Sequence, residues 1–174
     1  GLGHAVWCAR HLIGEEPGAV ILADDLIKGS KTIGEMIENY TSGNMLAVME
    51  VKETEVSSYG IITPGKNSPN NIIDIVNLIE KPSVQSAPSN LAVVGRYIIE
   101  PSIFDVLENQ NKDSNNEIQL TDAIASRIGK SICTGYKFSG ERFDCGSKLG
   151  FIKANIKYSF ERNEFNKELK QWLI

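Results

Sequence analysis

Apolar residues along this chain fall into two alternating patterns: short continuous runs, and stretches in which they recur every three or four positions. The runs at 18–23 (GAVILA) and 45–51 (MLAVMEV) suit strands covered on both faces. Between them, Thr32 and Glu35 form a T-x-x-E capping box. It opens a predicted helix whose apolar face carries Ile33, Met36, Ile37 and Tyr40, and Gly43 ends it. Strand, helix, strand in that order predicts a right-handed crossover and a parallel sheet. A helix is also predicted near 3–12, where Ala5, Val6, Ala9 and Leu12 approach helical spacing. Downstream, β-rich runs at 59–63 and 72–79 flank the turn-rich PGKNSPNN, a hairpin signature. The run at 91–99 (LAVVGRYII) is a strand interrupted by Gly95. Pro101 opens a helix to about 107, and 117–128 predicts another, with Ile118, Asp122, Ala125 and Ile128 at helical spacing. Short strands at 132–138 and 142–144 lead into helices at 148–162 and 164–172. The expected class is α/β.

Composition narrows this picture only a little. A chain of 174 residues fits one domain and can bury a real core. Its 41% hydrophobic and 23% charged residues are those of an ordinary soluble globular protein. The net charge of −4 leaves no electrostatic footprint for nucleic acid. No apolar run approaches the roughly 18 residues of a membrane-spanning helix, so no membrane partner is expected. No secretory leader is visible either. Three cysteines (Cys8, Cys133 and Cys145) at wide spacing argue against a disulfide framework or a zinc site, and favour a reducing cytoplasm. The first residues, GLGHAVWCARH, read as the opening of a helix, so Gly1 is expected to be an internal cut point.

Candidate chemistry lies at the ends of the runs. Asp24 follows the first buried run, and in open α/β sheets ligands bind beyond the carboxyl ends of strands. Strand alternation turns Asp25 the other way, so at most one of the two faces a metal. Asp144, in RFDCGSKLGF, also ends a β-like stretch, and Gly146 allows a tight turn before a helix starting at Ser147. Two carboxylates at strand ends can hold one Mg²⁺, which prefers oxygen ligands and keeps room for water and phosphate oxygens. Turn-capping and helix-start roles remain open for each acid. In IEKPS, Glu80 can accept hydrogen bonds from sugar hydroxyls and Lys81 can serve as a point charge for phosphate, against a solvated surface pair as the bland alternative. Gly60 and Gly95, glycines within strand-like runs, mark either close approach to a ligand or a β-bulge. Glu117 opens a predicted helix, where an acid suits the dipole.

In chain order, GLGHAV, AVILADD, YGII, IEKP, SNLAVVGRYI, NEIQLTDAI and FDCGSKLGF form a series that closely resembles the bacterial UTP–glucose-1-phosphate uridylyltransferases. The resemblance covers essentially the whole chain. It implies a Rossmann-like, GT-A-like nucleotidyltransferase fold, a mixed sheet flanked by helices, here as a single domain with terminal helices from about 147. It implies that UTP and glucose 1-phosphate react to give UDP-glucose and pyrophosphate, with Mg²⁺ as cofactor. By the same resemblance Asp24 and Asp144 are the metal carboxylates, and Lys81 contacts the sugar phosphate. Glu80, Gly60, Gly95 and Glu117 hold the glucose hydroxyls, and Gly3, with its neighbour Leu2, lies against uracil and ribose. A homo-oligomer is implied for the full-length protein. One departure is visible: Ala23 stands where the family commonly has proline before the first acid. The family's Gly-rich leader with its G-T-R is expected upstream of Gly1, and the isolated chain is expected to be inactive without it. Two alternatives accompany this reading: another sugar-1-phosphate nucleotidyltransferase, and a non-catalytic module that binds a sugar nucleotide.

Overall fold

The apolar runs become strands of a mixed sheet. The computed structural model describes residues 1–69, 71–112 and 116–172. They cluster into two compact units, one of residues 1–21 with 31–138, the other of residues 22–30 with those from 139 onward.

The first unit is built on six strands: β1 (Gly18–Ile21), β3 (Asn44–Glu50), β4 (Gly60–Ser68), β5 (Ile72–Glu80), β6 (Leu91–Ile99) and β7 (Cys133–Lys137). Their order is β1-β6-β3-β7-β5-β4, and β4 also meets β6 at Ile61 and Ala92. Only β3 and β7 pair in parallel; the other pairings are antiparallel. The parallel relation inferred from strand–helix–strand order therefore holds for the direction of β1 and β3 but not for their adjacency, and the sheet is mixed. β1 and β3 both run antiparallel to β6, which lies between them. The run at 18–23 is not covered on both faces either. Among the described residues it forms β1 at one end of the strand order, paired with β6, with Ala19 and Ile21 exposed. The run at 45–51 is enclosed over its first four residues, Met45, Leu46, Ala47 and Val48, while Met49 is half-buried and Glu50 exposed. Each such side chain removed from water contributes roughly 1.5–3 kcal/mol for the larger aliphatics.

Helices α1 (Leu2–Cys8) and α2 (Arg10–Ile13) replace the single predicted helix, and α3 (Thr32–Asn39) follows. The expected Thr32 cap is absent. Lys31 is the N-cap, Thr32 is buried within the first turn, and Glu35 accepts from the Lys31 N–H at 3.3 Å. The other Glu35 oxygen accepts from the Tyr136 hydroxyl at 3.1 Å. Met36 is buried, but Ile37 is exposed, so the predicted apolar face is narrower than its spacing suggested. A 3-10 turn (Glu53–Ser58) precedes β4. The β4–β5 hairpin runs longer than predicted, because the strand continues through Pro64 across two register shifts. Asn70, part of the predicted turn, lies outside the described residues. Helices α4 (Ile103–Asn109) and α5 (Leu120–Ala125) complete this unit. α5 starts later than expected, and Glu117 lies ahead of it rather than in its first turn.

The second unit is an antiparallel ribbon of β2 (Asp25–Lys28) and β8 (Glu141–Asp144) with helices α6 (Lys148–Glu161) and α7 (Asn163–Trp172). Phe143 packs on Tyr158 of α6, with ring centroids 6.2 Å apart. Lys28 pairs with Glu161 and Lys157 with Glu141, joining the ribbon to the same helix. No helix among the described residues is long and apolar enough to cross a membrane.

Candidate functional site

Asp24 does not end a buried strand, as its position after GAVILA suggested; β1 stops at Ile21. Asp24 instead stands in the turn that leads into β2, and its backbone carbonyl accepts from the Cys145 N–H at 2.7 Å. Pairing continues with Asp25 opposite Asp144 and Leu26 opposite Phe143. The ribbon thereby brings two acids, remote in sequence, to one end. A Cβ placed on Gly146 would lie 2.9 Å from Asp24 Oδ2 and 3.2 Å from Asp144 Oδ1. The missing side chain thus leaves a small cradle flanked by both carboxylates, each on an exposed residue. Asp25 turns the other way, is buried, and is held by Arg142.

The turn after Asp144 is fixed by its own hydrogen bonds. The Gly146 N–H donates to Asp144 Oδ1 at 3.1 Å, the Ser147 hydroxyl donates to the Asp144 carbonyl at 3.0 Å, and the Gly150 N–H donates to Ser147 Oγ at 3.0 Å. Ser147 is therefore the cap of α6, and Asp144 is left free of that role. The donor set fits a hard divalent cation: two oxygen-bearing acids that would repel each other are best compensated by positive charge, and magnesium needs few protein ligands. Among the described residues no group of three or more His, Cys, Asp or Glu is arranged for a metal, so a cation here would have only these two acids as protein ligands.

The sugar-phosphate candidates all fall in the first unit. Gly60 and Glu80 are direct partners across the β4–β5 hairpin. A Cβ at Gly60 would meet Glu80 Oε2 at 3.2 Å and Thr121 Cγ2 at 3.1 Å, so the glycine lets the Glu80 carboxylate and α5 approach the strand closely. Lys81 follows in a left-handed conformation (φ 44°), its N–H donating to the Tyr59 carbonyl at 3.0 Å. Its side chain is 58% exposed and the ammonium lies 3.9 Å from Glu80 Oε1, too loose and too solvated to immobilise it. Glu80 and Lys81 therefore sit together at one strand end with the cation free to move.

Gly3 and Glu117 form a second group. The Gly3 N–H donates to the Ile118 carbonyl at 2.9 Å, and a Cβ at Gly3 would press on Ile118 and Leu107. Glu117 Oε2 accepts from Gln119 at 3.0 Å and lies beside Gly1. α5 packs on both β5 and α1 and so joins the two groups. Gly95 is buried in β6 where the register slips: the step from Leu46 to Val48 faces the longer step from Tyr97 to Val93. It sits in a bulge, the alternative that a strand glycine always leaves open.

Three residues were missed by sequence reasoning. Thr121 touches Gly60 but carries no distinguishing spacing. Arg142 was readable as a strand residue two positions before Asp144. Gly150 lies in the quoted motif, but its close approach to the Asp144 carbonyl becomes visible only in three dimensions.

Residues 1–160 match a family model described as Nucleotidyl transferase. The chain is 40% identical, over 176 aligned residues, to UTP–glucose-1-phosphate uridylyltransferase 1 of Staphylococcus saprophyticus, covering 99% of this chain and 61% of that protein. Among solved structures it is similar to a UDP-glucose pyrophosphorylase complexed with UDP-glucose, at 41% identity and TM-score 0.87, over 93% of this chain and 63% of that one. It is also similar to a UTP-bound UGPase from Acinetobacter baumannii, at 40% identity and TM-score 0.86, over 99% of this chain and 61% of that one. The chain thus spans less than two thirds of the length of the relatives it matches.

Proposed function

Because the chain belongs to the nucleotidyl transferase family, we propose that it carries the metal-binding acids and sugar-phosphate residues of a UTP–glucose-1-phosphate uridylyltransferase. The observation that carries this reading is the approach of Asp24 Oδ2 and Asp144 Oδ1 to one glycine, Gly146, in a ribbon whose register sets them there. The names of the relatives at 40–41% identity supply the choice of UTP and glucose 1-phosphate.

In this reading the sugar phosphate oxygen attacks the α-phosphorus of UTP in line and pyrophosphate leaves, with no covalent enzyme intermediate. The work of the protein is positioning and charge neutralisation. Lys81 meets the attacking phosphate with a mobile ammonium, which its exposure and its loose contact with Glu80 allow. Glu80 accepts hydrogen bonds from glucose hydroxyls, Gly60 gives the sugar access to the strand, and Gly95 and Glu117 complete the sugar contacts. Gly3 lies against the nucleoside. Mg²⁺, held by Asp24 and Asp144, supplies Lewis-acid charge compensation for the approaching phosphates when bound. A cytoplasmic homo-oligomer belongs to the same reading, supported by the free thiols of Cys8, Cys133 and Cys145 for the compartment and by the family resemblance for the assembly.

Pyrophosphate release by the full-length protein, measured across UTP, dTTP, ATP and GTP with several sugar phosphates, tests the assignment. UTP with glucose 1-phosphate is expected to give the highest kcat/KM, and a clear preference for another pair overturns the substrate choice. Asp144→Asn and Lys81→Ala should each lower kcat by at least ~100-fold, the scale of losing one preorganised electrostatic group. Near-normal rates in both variants would remove the roles given to these residues.

A further inference from the structure

Asp144, Gly146 and Ser147 are all exposed, so packing does little to hold the Asp144 carboxylate where the ribbon delivers it. Hydrogen bonds in the turn do that instead. The Gly146 N–H meets the side chain itself, at Oδ1, 3.1 Å away. The main-chain carbonyl of Asp144 accepts twice from Ser147, from the hydroxyl at 3.0 Å and from the backbone N–H at 3.3 Å. A carbonyl oxygen can only accept, so the direction of the hydroxyl bond is fixed. Ser147 Oγ therefore serves two neighbours. Its lone pair caps α6 by accepting from the Gly150 N–H at 3.0 Å, and its proton goes back to Asp144. A helix cap needs the first bond and not the second.

We propose that Ser147 is a positioning residue for the metal carboxylate of Asp144, acting through its hydroxyl proton and not through its role as a cap. The inference rests on the reading of Asp24 and Asp144 as metal ligands. The proton ties the end of β8 to the first turn of a 14-residue helix. Asp24 is fastened to the same turn, since its carbonyl accepts from the Cys145 N–H at 2.7 Å. With both ties in place the two acids are ordered before a cation arrives. Without the hydroxyl, Asp144 must be ordered as the cation binds, and that cost weakens affinity while the helix stays capped. A serine that only capped α6 would act through stability alone.

Mn²⁺ binding to the full-length protein, followed by the paramagnetic resonance of the free ion, separates the two roles when thermal unfolding is recorded beside it. Ser147→Ala removes cap and proton together; it should lower Tm and raise the Mn²⁺ Kd by roughly 10-fold, the lower end of the scale for outer-shell partners of metal ligands. Ser147→Asn supplies a cap as good as serine but no hydroxyl, so Tm should return while the Kd stays weak. Ser147→Thr keeps the hydroxyl and should retain the wild-type Kd. The Asn and Thr variants both keep a cap, so their comparison decides the matter even where Ser147→Ala does not fold. A Kd that recovers with Tm in Ser147→Asn overturns the proposal, because the serine is then only a cap. A Ser147→Thr protein as weak as Ser147→Asn overturns it too. Asp24→Asn and Asp144→Asn report on the underlying reading: if neither weakens Mn²⁺ binding, the metal assignment itself fails and takes this inference with it.

Discussion

Replacing Gly150 by alanine tests how the turn after β8 holds Asp144. Gly150 lies in the first turn of α6 and donates to Ser147 Oγ, which in turn donates to the Asp144 carbonyl. A methyl group at this position would overlap the Asp144 carbonyl oxygen and lie 2.8 Å from its carbon and 2.7 Å from Ser147 Oγ. Carbon pairs settle at about 3.5–4.0 Å, so the helix and the end of β8 must part by ~1 Å. The obstructing atoms are backbone and cap, and no change of rotamer relieves them. Overpacking of this kind costs about 1–3 kcal/mol. A shift of ~1 Å in a reacting arrangement can cost on the order of 100-fold in rate. Gly150→Ala should therefore lower Tm, lower kcat in pyrophosphate release by roughly 100-fold, and weaken Mn²⁺ binding. Gly34→Ala is the control: it lies within α3, its new methyl would find only the Lys31 Cβ at 3.9 Å, and helix propensity should stabilise it by about 0.5–1 kcal/mol. Wild-type Tm and rate in Gly150→Ala, beside a stabilised Gly34→Ala, would refute the reasoning.

Gly60→Ala should raise KM for glucose 1-phosphate more than KM for UTP in steady-state assays, because its methyl would displace the Glu80 carboxylate or Thr121. Lys81→Gly relieves a left-handed residue and should raise stability by up to ~1 kcal/mol in denaturant titration while lowering kcat. A destabilised Lys81→Gly would mean that the conformation is not strained. Burial, reinforced by Glu100, pushes the Cys133 thiol from 9.0 up to about 12. The unfolded chain ionises this thiol first, so stability present below pH 9 should be lost as pH rises toward 12, by up to about 4 kcal/mol. The Tm against pH should fall less steeply in that window in Cys133→Ala, and an unchanged slope would count against it.

Much of the fold was legible because the signals were local. Apolar and β-rich runs marked the strands β3, β5 and β6, and the terminal helices α6 and α7 were placed to within a residue or two. What local pattern could not supply was pairing. The run at 18–23 looks identical to a central strand, yet among the described residues it has a strand partner on one side alone, because pairing depends on which strand lies beside it. The Thr32 box failed for a related reason. Glu35 does reach back, but to Lys31, while Thr32 is drawn into the core and Tyr136 takes the second carboxylate oxygen. Asp24 and Asp144 were found as acids at the ends of β-like stretches, and the ribbon does join them. The reason given for Asp24 was nonetheless incorrect, since it belongs to a turn before β2 and not to the end of β1. Arg142 and Thr121 escaped because their roles are cross-strand and helix-to-strand contacts, which have no period in sequence.

Two positions where local preference loses lie beside residues proposed for chemistry. Lys81 takes a backbone conformation that costs an L-residue roughly 1–2 kcal/mol, although glycine would hold it freely. Retaining lysine there makes sense if the ammonium is needed at that point, and the buried Pro82 and the Tyr59 carbonyl hold the chain in place against the strain. In the ribbon the cost is one of desolvation instead: Asp25 is buried, and the nearly buried Arg142 guanidinium pairs with its carboxylate. A protein selected for stability alone would replace that lysine by glycine and that ion pair by apolar side chains. Both departures lie beside residues given to phosphate or metal, which is where a sequence is expected to yield stability in exchange for function.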